Sequence, residues 1–217
     1  MPSGVDRKLE ISKLIRERYS ALRREEKNSI VDGIGQFLKL AMSSRTPMHT
    51  ILTDAAKLIH RNFEFQYVSI AMKDPTDEKF RYVAMVGLRD EVKTLRQNLS
   101  YTLVEMMDTR SNPSTRVNKI IEIHLMEDKP LKEGGEGIYN RPSLIGKNRG
   151  GSDSMVEGDY IELSILGPND ELIGWIEVSS PRDNKFPSRS TVKWIEFVSI
   201  ITATFLKLKE TAKGSAR

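Results

Sequence analysis

Tyr160-Ile161-Glu162-Leu163-Ser164-Ile165-Leu166, Gly167-Pro168-Asn169-Asp170 and Leu172-Ile173-Gly174-Trp175-Ile176-Glu177-Val178, followed by Asn184-Lys185-Phe186, open the last third of this 217-residue chain. Aliphatic and aromatic residues dominate both seven-residue runs, and the Gly-Pro-Asn-Asp between them is turn chemistry, so the stretch reads as a β-hairpin. Past Phe186, Trp194, Val198, Ile201, Phe205 and Leu208 recur at helical spacing. Ile195, Phe197 and Ile200 widen that stripe beyond one face. A belt so broad predicts burial against two neighbours, the sheet and a partner subunit's helices. Trp175 is placed on the Ile173 face of its strand, where core packing is the first reading and stacking on a ligand ring the second.

Working outward, residues 66–72 and 79–86 read as two further strands joined by the turn Asp74-Pro75-Thr76-Asp77. Val68, Ile70 and Met72 alternate with Tyr67, Ser69 and Ala71, so both faces are largely apolar and both call for cover. Upstream, residues 7–27 and 29–42 read as helices, with Ser29 as a cap for the second and Gly33 and Gly35 either weakening it or allowing close approach of another helix. Ser43-Ser44-Arg45-Thr46-Pro47 breaks the pattern. Thr46 is the expected cap and Pro47 the first-turn residue of a helix ending near Asn62. Leu88, Val92, Leu95, Leu99, Leu103 and Met106 predict one amphipathic helix stopped by Asn112-Pro113, and residues 119–125 predict a strand. On that strand Glu122 and His124 share a face.

Residues 126–158 are irregular, and seven of the fourteen glycines fall between Gly134 and Gly158. A connection that long is either a functional lid or disordered. Tyr139, Arg141, Lys147 and Arg149 on it, with His124 and Trp175 nearby in the strands, are the candidate ligand-binding residues, suited to an anionic or aromatic ligand. The expected entry lies between the sheet and the loop from Glu133 to Gly158. Gly146-Lys147 lacks the glycine spacing and the following hydroxyl of a phosphate-binding loop, since Asn148 comes next.

Composition removes whole classes of chemistry. The chain has no cysteine, which excludes disulfides, thiolate nucleophiles and thiol-based zinc sites. His49, His60 and His124 are scattered, so no metal-ligand spacing arises and no catalytic residue is assigned. The net charge of +4 is small for a chain with 29% charged residues. Residues 1–28 hold eight Lys or Arg against five Asp or Glu, a helix face that reads first as solvated and second as a nucleic-acid contact. No apolar run is long enough to span a membrane, so a cytoplasmic location is expected.

From about Ser29 to Leu208 the chain resembles a GAF domain. The helix pair broken at Ser43-Ser44-Arg45-Thr46-Pro47 and closed by Ile59-His60-Arg61-Asn62-Phe63, the strand Tyr67-Val68-Ser69-Ile70-Ala71-Met72, the hairpin with its Ile173-Gly174 pair before Trp175, and the helix after Phe186 carry the likeness. Asn184-Lys185-Phe186 is similar to an element of cyclic-nucleotide-binding members, but Ser190 and Thr191 stand where those members have an acidic pair, which argues against that ligand. The resemblance implies an α+β fold, an antiparallel sheet with helices on both faces. The terminal helices would dimerise on one face and a pocket would lie on the other. The domains expected are an N-terminal helical extension at 1–28, a GAF-like domain at 29–210 and a flexible tail at 211–217. The expected role is a non-enzymatic small-molecule-sensing or regulatory module, a homodimer acting through a signalling protein partner, with the cofactor unknown. The alternatives are a structural interaction module without ligand, or a nucleic-acid-binding regulator using the basic N-terminal helix.

Overall fold

A computed structural model describes residues 26–43, 45–128 and 135–214. Residues 7–25 of the helix expected over residues 7–27, and with them most of its basic face, lie outside the described residues, as do Glu133 and residues 215–217 of the expected tail. The elements are α1 (Glu26–Met42), α2 (Met48–Asn62), β1 (Phe65–Lys73), β2 (Phe80–Val86), α3 (Asp90–Gln97), α4 (Leu103–Met107), β3 (Thr115–Arg116), β4 (Ile121–His124), β5 (Tyr160–Leu166), β6 (Leu172–Pro181) and α5 (Arg189–Gly214). Among the described residues, three short 3₁₀ helices punctuate the segment before β5.

One six-stranded sheet, in the order β2-β1-β6-β5-β4-β3 and antiparallel throughout, carries the domain. The early hairpin and the late hairpin meet where β1 pairs with β6, Val68 opposite Val178 and Ile70 opposite Ile176. Those four side chains, with Ile161, Leu163 and Ile121, form one apolar face under α1, α2 and α5. Each fully buried aliphatic side chain there contributes about 1.5–3 kcal/mol relative to an exposed one. The opposite face carries Tyr67, Ser69, Ala71, Trp175 and Glu177, covered by α3, α4 and the irregular segment. The two-sided cover read from the strands is therefore present. No helix among the described residues is long and apolar enough to cross a membrane.

Several boundaries differ from expectation for local reasons. α1 is already helical at Glu26, so Ser29 lies inside it and not at its N-cap. The Thr46 hydroxyl donates to the Leu40 carbonyl in the last turn of α1 at 2.9 Å, beside the Ser43 N–H, and Pro47 takes the N-cap position of α2. Gly33 does admit a close helix: a Cβ there would sit 2.8 Å from the Leu58 and Asn62 side chains of α2. The single helix expected over 88–106 is two helices. Tyr101 exchanges backbone hydrogen bonds with Phe80, which interrupts the helix, and Thr102 with Glu105 forms a capping box that starts α4. α5 continues to Gly214, past the boundary placed at residue 210, because no glycine or proline interrupts it earlier. Its core stripe is Ile195, Val198, Ile201, Phe205 and Leu206. Trp194 and Leu208 are exposed with Phe197 and Ile200, contrary to the stripe expected.

Candidate functional site

Two β-bulges turn the sheet's second face into a site. The β5–β6 register shifts between Ile165 and Leu166, which pair with Gly174 and Leu172 and leave Ile173 as the extra residue. Ile173 therefore packs on the helix-side core while Trp175 faces the other way, so the Ile173 and Trp175 side chains do not share a face. Gly174 is required there, since a Cβ would come within 2.4 Å of the Ala71 carbonyl oxygen. A matching shift between Ile70 and Ala71 sets Tyr82 opposite Ala71. The Trp175 ring then packs against Phe80 at 5.1 Å and meets Tyr82 and Tyr101 edge-on at 6.3 and 6.1 Å.

Above these rings lies a cavity of about 410 Å³, within the range of small-molecule sites. Tyr82, Tyr101, Tyr160 and Trp175 supply its aromatic lining. Glu105, Asp108, Glu162 and Glu177 supply carboxylates, and Met106 closes it from α4. A larger groove of about 510 Å³ runs between α1 and α2; it is lined mostly by polar and charged side chains, and among the described residues Phe37 is the one aromatic ring on it. The aromatic-walled cavity is the candidate site. Its roof is α4 and the segment to Asn112, whereas the entry expected from the sequence lies beneath the loop from Glu133 to Gly158. The described part of that loop lines a neighbouring space of about 30 Å³, which shares Tyr160 and Glu177 with the cavity.

Glu177 organises the floor. Its carboxylate accepts from Arg96 Nη1 at 2.9 Å, from Trp175 Nε1 at 3.0 Å and from the Tyr82 hydroxyl. Arg96 also donates to Ser69 Oγ at 3.3 Å and lies over the Tyr82 ring. Burial first, and the Glu177 charge second, push the Tyr101 phenol up to about 12 and hold Tyr82 and Tyr160 well above the ordinary tyrosine range. These phenols are neutral donors at neutral pH. A folded-state pKa above the unfolded value stabilises the fold fully below the unfolded pKa of about 10, and the gain is lost as pH rises through the folded value. Unfolding free energy should thus fall between about pH 10 and pH 12. Phenolate absorbance checks this: a folded chain titrating together with the urea-unfolded chain would contradict it.

The candidates that the sequence singles out divide between two places. Trp175 lines the cavity. His124 is one ring behind it, stacked on Tyr160 at 4.3 Å, its Nδ1 3.0 Å from the Pro113 carbonyl and its Nε2 3.9 Å from Glu162. Tyr139 lines the small neighbouring space and Lys147 is exposed. Arg141 and Arg149 are engaged in holding the loop to the sheet. Arg141 Nε meets Glu157 at 2.8 Å and its Nη2 meets Ser180 at 3.0 Å. Arg149 grips Asp159 at 2.8 and 3.1 Å and Glu127 at 2.7 and 3.0 Å, while Asp159 also accepts the Met126 and Val156 N–H groups. The described residues of the irregular segment are thus latched down by charge. Lys185 joins them through Asp153 at 2.7 Å.

Sequence reasoning missed Tyr82, Tyr101, Glu162 and Glu177, although a signal existed. Each strand of the late hairpin is apolar on both faces yet carries one glutamate near its middle, and a buried carboxylate demands a partner. The hairpin register sets Glu162 directly opposite Glu177.

No family model and no curated protein matches the sequence. Solved structures do match the fold. A methyl-accepting chemotaxis protein fragment, residues 122 to 287, aligns with a TM-score of 0.56 at 16% identity, over 83% of this chain and 99% of that one. The GAF domain of a phosphoenolpyruvate-protein phosphotransferase from Coxiella burnetii aligns at 0.54 and 11% identity, over 86% and 97%. A bacteriophytochrome from the photosynthetic bacterium R. palustris aligns at 0.54 and 12% identity, over 86% of this chain and 38% of the longer one. With one antiparallel sheet, helices on both faces and these neighbours, the described residues of this chain form a GAF-like domain.

Proposed function

We propose that the chain is a non-enzymatic small-molecule-sensing or regulatory module whose ligand occupies the cavity over Trp175. The observation that carries this reading is a space of about 410 Å³ with four aromatic side chains in its lining, on the sheet face opposite α1, α2 and α5. Two of the structural neighbours are a chemotaxis protein and a bacteriophytochrome, which fits a signalling role.

Output runs through the terminal helices. Trp194, Phe197, Ile200 and Leu208 on α5 and Val31 and Met42 on α1 are exposed, which supports a homodimer that presents these helices to a signalling protein partner in the cytoplasm. The test is thermal unfolding of the purified chain across a metabolite panel. A ligand at a hundred times its dissociation constant stabilises by about 2.7 kcal/mol, a rise of roughly 5–10 °C for a chain of this size. Light scattering on the same sample should read two chains. A flat response to every compound would defeat the sensing role, and a monomer at high concentration would defeat the dimer.

A further inference from the structure

We propose that α4 and the turn after it, residues 102–111, form a hinged lid over the cavity, and that a ligand enters when this lid swings away from the sheet. The proposal rests on the reading of this cavity as the ligand site and names the moving wall of that site.

The first argument is burial. Among the described residues, Val104, Glu105, Met106, Asp108, Ser111 and Asn112 make up half of the cavity lining, so the roof is one continuous stretch of chain. The other half, apart from Tyr101, comes from β2, β5 and β6, whose ladders hold the floor and walls together. The roof is therefore the wall that can move. α4 buries none of its five residues. Leu103, Val104 and Met107 are apolar, yet they stand 43%, 79% and 66% exposed. Met106 packs inward, against the cluster of Ala71, Phe80 and Trp175. A helix this short is marginal by itself. A segment with so little apolar burial opens at a free energy well below that of global unfolding, the range from which active-site lids are drawn.

The second argument is where the roof is pinned. Tyr101, just before it, exchanges backbone hydrogen bonds with Phe80 at 2.8 and 3.0 Å. Just after it, the Asn112 side-chain carbonyl accepts from the Tyr160 hydroxyl at 3.2 Å and the Pro113 carbonyl meets His124 Nδ1 at 3.0 Å. The Ser114 hydroxyl then donates to Glu122 at 2.6 Å. Both ends are thus fixed to the sheet. Between them, the capping box joins Thr102 to Glu105, and Asp108 accepts from the Arg110 N–H and the Ser111 hydroxyl. These bonds lie within the lid and travel with it. A swing about Tyr101 and Asn112 breaks none of them and gives up the Met106 contact. Val104 lines the cavity and is exposed as well, so it stands at the mouth, where an occupant would cover it.

Hydrogen exchange of the full chain without ligand, read by NMR in zero and low urea, tests the swing. The reporter is the Trp175 indole N–H, fully buried beneath the roof and bonded to Glu177 at 3.0 Å. The exposed Trp194 supplies an indole reference, and the Leu163 and Ile176 amides in β5 and β6 report global unfolding. Protection at Trp175 should be at least about tenfold lower than at those amides. Its exchange should also be insensitive to low urea, because a small opening exposes little surface. Met106→Ala, which removes the inward contact of the lid, should speed that urea-insensitive exchange by at least about threefold. Leu172→Ala trims another side chain packed on the same cluster, outside the lid, and should not. Trp175 exchange that tracks the strand amides at every urea concentration overturns the lid. So does no acceleration by Met106→Ala, or equal acceleration by Leu172→Ala, which would place the motion in the floor. Should either variant fail to fold, the urea series on the parent chain decides. A rigid roof leaves the cavity for the metabolite panel to judge, and a flat panel leaves the swing standing.

Discussion

Glu177→Ala is expected to cost about 3–5 kcal/mol of folding stability, lowering the thermal midpoint by roughly 10 °C for a chain of this size. The carboxylate is 11% exposed and its guanidinium partner Arg96 16% exposed. Removing it leaves a buried positive charge, the Trp175 indole N–H and the Tyr82 hydroxyl without their acceptor. Breaking one side of such a pair costs far more than the pair's net worth, because desolvation of the remaining ion is no longer offset. Glu177→Gln keeps an acceptor and should cost less. The decisive comparison is the double variant Arg96→Met with Glu177→Met, which removes both charges. It should recover much of the loss, giving a coupling energy of about 1–3 kcal/mol in a double-mutant cycle by urea unfolding. Additive losses would mean that the two groups do not act as a buried pair.

Trp175→Ala should also cost about 3–5 kcal/mol, and it should abolish every ligand-induced stabilisation. The indole is fully buried, packs on Phe80, Tyr82 and Tyr101, and forms part of the cavity floor. Its removal takes away apolar contact and opens a void that the rigid sheet beneath cannot close. Trp175→Phe retains most of the volume and loses the hydrogen bond to Glu177, so its cost should lie nearer 1 kcal/mol. Far-UV circular dichroism in urea measures both without depending on tryptophan emission. A loss below about 1 kcal/mol for Trp175→Ala would show that the ring is not a structural member of the floor.

The two substitutions probe what sequence reading saw least well. The hairpin, the strand pair at 65–86 and the amphipathic helices were legible because periodicities of 2 and 3.6 are properties of neighbouring residues. The capping box at Thr102 and Glu105 was equally local, but the leucine spacing across it hid the break. The exposed side of α5 was misassigned in part, since Trp194 and Ile195 both look like core residues and only packing chooses between them. Loop arginines suggested an anion site because a charge in isolation carries no sign of its partner. Arg149 meets Asp159 from ten residues away, and Arg141 meets Ser180 from 39.

By itself, then, the chain's sequence determined most of the order of elements, an α+β architecture with cover on both sides of its strands, and the absence of any chemistry that needs cysteine. Tertiary structure alone decided the site. Bulges beside Ile165 and Ile70 chose which face Trp175 and Tyr82 would take, and packing of α3 on the sheet brought Arg96 to Glu177 over 81 residues. The physical reason is range: backbone conformation and amphipathic period are set within a few residues. Register, ion pairing and the shape of a cavity exist only between segments that folding has brought together.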